Sequence, residues 1–446
     1  MPPAPPPSPR YGLLGEHLSH SFSPQLHALI APYRYDLIEL PPDKVSPFLA
    51  RRDFAGLNVT IPYKQTVIPL LDDLSDDARA IGAVNTIVNR DGRLVGHNTD
   101  AAGFAALLRL AHVAPAGLRC LVLGTGGTSR TVAHVLRTLG AASVTHLSRA
   151  PAPPDVIAYA DAPRLRPDAE LIVNTTPVGM HPRPDASPLP LSPFPALRAV
   201  IDVIYNPLRT RLVLSARARS IPAEGGLYML AAQAVHASAL FRSIPPDPAL
   251  ADHAYRALLA RQQNLVLIGM PSAGKTTIGR LLADHLRRPF LDTDTLIAQR
   301  AGRPVPDLIT SLGEPAFRDL ERSAIAQTAL LSSHVIATGG GAILDPRNLD
   351  ALRQNGFLIF LDRPPSLLRP TPDRPLSATP SALAALYARR LPLYRAAADL
   401  SIDASPPPPA ILSSILSSPG VAAAVPSAAP SSSSLPSLSS LQSLHP

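Results

Sequence analysis

The sequence predicts an α/β fold made of successive units, and three observations point to it. From Tyr11 onward, short apolar runs alternate with helical patterns. Two later strand series each open on a glycine-rich turn that leads straight into a helix, at Gly124 and at Gly269. The chain has 446 residues, 46% hydrophobic and 17% charged, which is too long for one core and rich enough in apolar residues for several.

YGLLG, YDLIEL and GLNVTI read as strands of the first series, with helices such as PQLHALIA between them. The second series runs from Leu118 through SVTHLS, ELIVNTT and AVIDVIY, and the third from Asn264 through VIATGG and LIFLD. PPDPALADHAYRALLARQQ reads as a turn and a helix that closes the first half. These divisions give a first lobe over 11–100, completed by helices at about 226–260, a second lobe over 101–225 and a further unit over 264–403. The 53 prolines crowd the first ten residues and the region after Ser405, so 1–10 and 404–446 are expected to be disordered.

Composition narrows the function classes. The net charge is +8, yet aromatics are only 4% and no Lys/Arg run tracks a phosphate backbone, so the basic residues point to small anionic ligands and away from nucleic acid. Cys120 is the single cysteine; it reads as a small core residue in a reducing cytoplasm. MPPAPPPSPR lacks the apolar stretch of a secretory signal, and no run approaches about 18 apolar residues, so no membrane partner is expected. Oligomeric state is not readable from the chain.

In SHSFSPQLH, Ser23 suits a helix N-cap and Pro24 the first helical position, and the free N–H groups there suit a carboxylate. GLNVTIPYK places Asn58 and Thr60 on alternate positions of a strand end and Lys64 at the edge of a cleft. GAVNTIV adds Asn85 and Thr86, and GHNTD adds Asn98 and Asp100. Together with Ser21 and Ser23, this motif set resembles the shikimate dehydrogenases. The resemblance covers about 11–260 and implies a catalytic pair, Lys64 and Asp100. It implies a substrate pocket of Ser21, Ser23, Asn58, Thr60, Asn85 and Thr86, closed by Tyr205 and Gln233. A lysine suits ketone reduction because it can pass a proton to the oxygen while a hydride goes to carbon.

Gly124, Gly126, Gly127 and Thr128 lie between a strand and a helix, where a pyrophosphate can rest on the helix N-terminus. The next strand ends in Ser148 and Arg149 with no acid, which favours the 2′-phosphate of NADP(H) over NAD. The dehydrogenase resemblance places Gly226 and Met229 beside the nicotinamide.

GMPSAGKTT fits the phosphate-loop pattern and supplies Gly269, Ser272, Ala273, Gly274, Lys275, Thr276 and Thr277 to ATP, with Thr276 also on Mg²⁺. FLDTDTLI adds Asp292 toward the metal and Asp294 toward a substrate hydroxyl. With Arg318 of GEPAFRDLE, the triplet Gly339, Gly340 and Gly341, and Arg390 of RRLPLYR, this half resembles the shikimate kinases over about 264–403. That resemblance implies that Arg318 and Arg390 bind the substrate carboxylate, that Asp294 and the triplet bind the ring, and that Arg374 of a short lid reaches the transferring phosphate.

The two resemblances imply a two-lobed dehydrogenase followed by a P-loop kinase domain, acting on 3-dehydroshikimate and shikimate. From residues alone, action on quinate or another small polyol stays open, as does a non-catalytic sensor. Lys64, Asp100, Lys275, Thr276, Asp292 and Asp294 are all present, which counts against the sensor.

Overall fold

The computed structural model describes residues 10–18, 21–152, 154–370 and 379–422. The rest of the predicted disordered ends, 1–9 and 423–446, and Arg374 lie outside the described residues.

Three sheets organise the described residues. The first has the spatial order Tyr35–Glu39, Tyr11–Gly15, Gly56–Val59, Thr86–Arg90, Arg93–His97 and Asp73–Leu74. Its first three strands run parallel, and Gly56–Val59 then pairs antiparallel with Thr86–Arg90. The second sheet has the order Ala223–Glu224, Ala199–Asp202, Leu171–Asn174, Arg119–Leu123, Ser143–Ser148 and Val156–Ala158, parallel throughout. This is a doubly wound order whose switch point lies between Arg119–Leu123 and Leu171–Asn174, where such sheets bind dinucleotides. Cys120 is buried on the first of these two strands, as its apolar neighbours predict. The third sheet is parallel, in the order Phe290–Asp292, Val335–Ala337, Asn264–Ile268, Gly356–Asp362 and Leu400–Asp403.

Helices Leu227–Arg242 and Pro248–Gln262 return to the first lobe, packing on Ser23–Ile30 and Thr99–Leu110. Gly103 permits the closest approach: a Cβ there would lie 2.7 Å from Met229 O and 2.9 Å from Gln233 Cβ. No helix among the described residues is long and apolar enough to cross a membrane.

The expectation of disorder beyond residue 403 is overturned for 404–422. Helix Pro408–Ser417 seats Ile411 and Ile415, one turn apart and buried, on the third core. Each such burial contributes roughly 1.5–3 kcal/mol, enough to order a short proline-led helix. Proline at the first turn starts this helix rather than breaking it.

Two arginines tie the halves together by capping each other's helices. Arg209 of the Rossmann-like lobe donates from Nη1 to the carbonyls of Arg353 (2.9 Å) and Gly356 (2.8 Å), at the end of helix Pro346–Asn355. Arg288 of the third unit donates to Gln263 O (3.0 Å) and Ala260 O (2.5 Å), at the end of helix Pro248–Gln262. Helix C-termini present unpaired carbonyls and partial negative charge, which a guanidinium satisfies. Asn355 Oδ1 accepts from Leu208 N (2.9 Å), and Gln354 Nε2 donates to Pro184 O (3.2 Å).

Candidate active sites

Register builds the first site. Asn58 and Thr86 stand directly opposite on antiparallel strands, so Asn58 Nδ2 meets Thr86 Oγ1 at 3.1 Å. Tyr35, two strands away, donates to Asn58 Oδ1 at 2.7 Å and fixes the amide's orientation. Asn85 Oδ1 accepts from Thr99 N (2.7 Å), while its Nδ2 donates to Thr99 Oγ1 (3.0 Å) and Asp100 Oδ1 (2.9 Å). The other oxygen of Asp100 pairs with Lys64 Nζ at 2.6 Å, in a nearly buried ion pair with 15% and 9% side-chain exposure. A short, shielded pair of this kind is held in one geometry, unlike a surface salt bridge.

Ser21 and Ser23 lie at the start of helix Ser23–Ile30, and Ser21 Oγ accepts from Ser23 N at 3.2 Å. The expected cap is corrected by one residue: Phe22 is the N-cap and Ser23 is already helical, because the Ser21 hydroxyl turns the chain one step earlier. Phe22 packs against Tyr205 with ring centroids 5.4 Å apart, which brings the Tyr205 loop to this helix start. Gln233 Nε2 donates to Leu230 O (2.9 Å), and Thr60 N donates to Leu14 O (2.9 Å) at the strand end. Asn98 is a helix cap: its Oδ1 accepts from Ala101 N, and its Nδ2 reaches Ala83 O and Thr131 Oγ1.

His27 lies behind the Tyr35–Asn58 contact. It stacks on Tyr35 at 3.9 Å, and its Nδ1 is 2.6 Å from Tyr33 Oη. Burial pushes its pKa down to about 3, against a smaller opposing pull from Asn58, so the ring is neutral at ordinary pH. Sequence reasoning missed Tyr35 and His27, and the only available signal was their position on the strand and helix that flank Asn58.

At the switch point, Gly124 has φ +106°, a conformation that L side chains rarely adopt, and Gly126 caps helix Gly127–Thr138. A Cβ on Gly127 would sit 3.6 Å from Lys64 Cβ, so the phosphate-binding turn abuts the lysine. The residues present suit a dinucleotide: a Cβ on Gly126 would meet nothing within 4 Å, which leaves the turn open to an approaching phosphate. Met229 is buried beside Gly226 at the start of helix Leu227–Arg242. Arg149 is exposed one residue past strand Ser143–Ser148, where Ser148 Oγ accepts from Ala150 N at 3.1 Å.

The second site forms around the Gly269–Thr277 loop. Lys275 Nζ donates to Gly269 O (2.9 Å) and Met270 O (2.8 Å). Thr276 Oγ1 donates to Asp292 Oδ2 (2.8 Å), so a hydroxyl and a carboxylate meet beside the loop. Such hard oxygen donors, with phosphate oxygens and water completing the shell, suit Mg²⁺. Ser272 Oγ donates to Arg369 O (3.0 Å), fastening the loop to the start of the predicted lid.

The glycine triplet is explained by crowding. A Cβ on Gly339 would lie 2.6 Å from Asp294 Oδ1 and 2.9 Å from Glu321 Oε1, and one on Gly341 would strike the Arg318 guanidinium. Gly340 O accepts from Arg390 Nη1 (2.9 Å) and Tyr394 Oη (2.6 Å). Arg318 pairs with Glu321 (2.8 Å) and Glu314 (2.9 Å). Desolvation would lower the Arg318 pKa, but the two glutamates outweigh it and raise it. Burial raises the Glu321 pKa and lowers that of Arg390. Among the described residues, Glu321 Oε1 and Arg390 Nε are buried without a hydrogen-bonding partner, and both belong to the residues that converge on this pocket. Tyr394, one turn beyond Arg390, was not anticipated.

Residues 13–87 match the family model for the shikimate dehydrogenase substrate binding domain. The NADP(+)-dependent shikimate dehydrogenase of Geobacillus kaustophilus is 39% identical over 244 residues, spanning 50% of this chain and 88% of that protein. The chain belongs to the shikimate dehydrogenase family. The shikimate dehydrogenase of Thermus thermophilus, 37% identical, is covered over 98% of its length by 56% of this chain. Among solved structures, that of a Thermus thermophilus shikimate 5-dehydrogenase in complex with NADP(H) and shikimate superposes with a TM-score of 0.51 at 36% identity, over 56% of this chain and 98% of that one. A chorismate mutase/shikimate 5-dehydrogenase fusion from Clostridium acetobutylicum gives a TM-score of 0.53 at 34% identity, over 56% of this chain and 96% of its own. Residues 271–418 match the shikimate kinase model, which extends past 403 to include the helix Pro408–Ser417. The chain is therefore a shikimate dehydrogenase fused to a shikimate kinase domain.

Proposed function

We propose that this chain, working in the cytoplasm, reduces 3-dehydroshikimate to shikimate with NADPH and then phosphorylates the new 3-hydroxyl with MgATP. When bound, NADPH supplies the hydride, ATP the phosphoryl group and Mg²⁺ the positive charge that shields the phosphates. In the dehydrogenase, Lys64 Nζ donates the proton to the ketone oxygen, and Asp100 holds the amine and receives a ring hydroxyl. Asn85 fixes Asp100, Asn58 and Thr86 read the hydroxyls, and Thr60 closes the strand end beside them. Ser21 and Ser23 take the carboxylate at the helix start, and Tyr205 and Gln233 close the pocket. Thr128, Ser148 and Arg149 join the glycine turn in holding NADP(H).

In the kinase, Arg318 and Arg390 form charge-assisted bonds to the carboxylate, and Asp294 orients the hydroxyl that is phosphorylated. Lys275 draws on the phosphates, Thr276 and Asp292 hold Mg²⁺, and Ser272, Ala273, Gly274 and Thr277 complete the loop. Arg374 is assigned to the lid.

The carrying observation is that the buried Lys64–Asp100 pair and the Arg318, Glu321 and Arg390 cluster occur in one chain. The test is to incubate the purified chain with 3-dehydroshikimate, NADPH and MgATP and look for shikimate 3-phosphate by mass spectrometry. A product that stops at shikimate, or NADPH left unconsumed, would reject the corresponding half.

A further inference from the structure

A cavity of about 210 Å³ lies where the Rossmann-like lobe meets helix Pro248–Gln262, and it shares no lining residue with either candidate active site. Its walls combine leucines with Arg209, Arg217, Glu224, Tyr228 and Tyr255. Most of that polarity is already matched. Arg217 pairs with Glu224 at 3.0 Å, and Tyr228 Oη donates to Asp252 Oδ1 at 2.7 Å.

Gln263 Oε1, buried with no hydrogen-bonding partner among the described residues, is one exception, and Arg209 is another. Its Nη1 is committed to the carbonyls of Arg353 and Gly356, while Nε and Nη2 have no hydrogen-bonding partner among the described residues. No carboxylate of the described residues stands within ion-pair distance of it. Burial draws its pKa below the usual arginine range, against a smaller opposing pull from Asp399. A helix C-terminus supplies only about half a charge, so the half-buried guanidinium that caps one here is left under-compensated. Tyr255, edge-on to Tyr228 with centroids 5.3 Å apart, also has a hydroxyl without a hydrogen-bonding partner among the described residues.

We propose that this cavity binds a small monocarboxylic acid carrying one ring and a hydroxyl. The carboxylate meets the open N–H groups of Arg209, the ring lies among Leu208, Leu227 and Leu259, and the hydroxyl meets Tyr255. The volume is somewhat above the roughly 150 Å³ of an apolar cavity that takes up benzene, and so admits a single ring and little more.

The test is calorimetric titration of the full chain with 4-hydroxybenzoate, with inorganic phosphate as a second probe. One equivalent should bind with a dissociation constant below about 1 mM. Affinity should fall about tenfold or more in Arg209→Met and a few-fold in Tyr255→Phe, and binding should vanish in the cavity-filling Leu259→Trp. It should be unchanged in Arg318→Met and Lys64→Ala, which alter the two active sites. Should Arg209→Met fail to fold, the other two cavity variants decide. The proposal is overturned by an absence of saturable heat, by a loss that follows Arg318 or Lys64 instead, or by phosphate binding as tightly as the ring acid.

Discussion

The dehydrogenase pocket surrounds one lysine–aspartate pair with neutral amides and hydroxyls that satisfy one another, from Tyr35 through Asn58 and Thr86 to Asn85. The kinase pocket instead brings two guanidiniums and a buried glutamate together, and leaves Arg390 Nε and Glu321 Oε1 unmatched among the described residues. The difference fits the chemistry proposed for each pocket. A pocket that reads hydroxyls and passes one proton is best served by polar groups fixed in advance, which reject analogues lacking a hydroxyl. A pocket that must anchor an acid while phosphate charge moves nearby is better served by cations; here Glu314 and Glu321 already offset the desolvation of Arg318, while burial still lowers the Arg390 pKa.

Five experiments bear on that contrast. The largest effect is expected from Lys64→Ala, which should cost about 10² to 10⁴ in dehydrogenase turnover and leave kinase turnover intact. Equal loss of both in steady-state assays would mean the pockets are not separate.

Next comes acid. The unfolded chain protonates His27 near pH 6.5, whereas the folded lobe does so only near 3. The unfolded state therefore binds more protons in that window, and stability is lost as pH falls through it, by an upper limit of about 5 kcal/mol. Urea unfolding of the first lobe followed from pH 7 downward should show that slope in the wild type and a flatter one in His27→Phe. Matching slopes would remove His27 from the account.

Arg318→Ala should raise the kinase KM for shikimate by roughly 10- to 100-fold, as expected for one charge-assisted contact, with the dehydrogenase KM unmoved. Salt should weaken the kinase KM more than the dehydrogenase KM, and a reversed salt ranking would undo the contrast. The smallest effect is expected at the exposed Arg149. Arg149→Ala should shift the NADP-over-NAD preference only several-fold, and an unchanged ratio of kcat/KM values would relieve Arg149 of that role.

Much of both sites was legible because their motifs are local. Asn58-x-Thr60, Asn85-Thr86 and the phosphate loop each fix several groups on one strand end or turn, and the structure brings them together. Tyr35 and His27 were not legible, since they meet Asn58 only through strand order and helix packing. The cap at Phe22 was missed by one residue because Ser21 and Ser23 offer the same hydroxyl. The helix Pro408–Ser417 was hidden by composition: the prolines and serines around it outweighed the spacing of Ile411 and Ile415. The interlocking caps of Arg209 and Arg288 join distant parts of the chain, and no local pattern announces them.

Those caps bear on how the two catalysts became one polypeptide. Each lends a cation to the other's helix end, so separating the halves between Gln263 and Asn264 would orphan carbonyls on both fragments and leave Asn355 Oδ1 and Gln354 Nε2 without their partners across the junction. A free-standing version of either half would need replacement residues at its broken face. A kinase swapped in from elsewhere would restore these contacts only with its own arginine at the position of Arg288 and its own amides at 354 and 355.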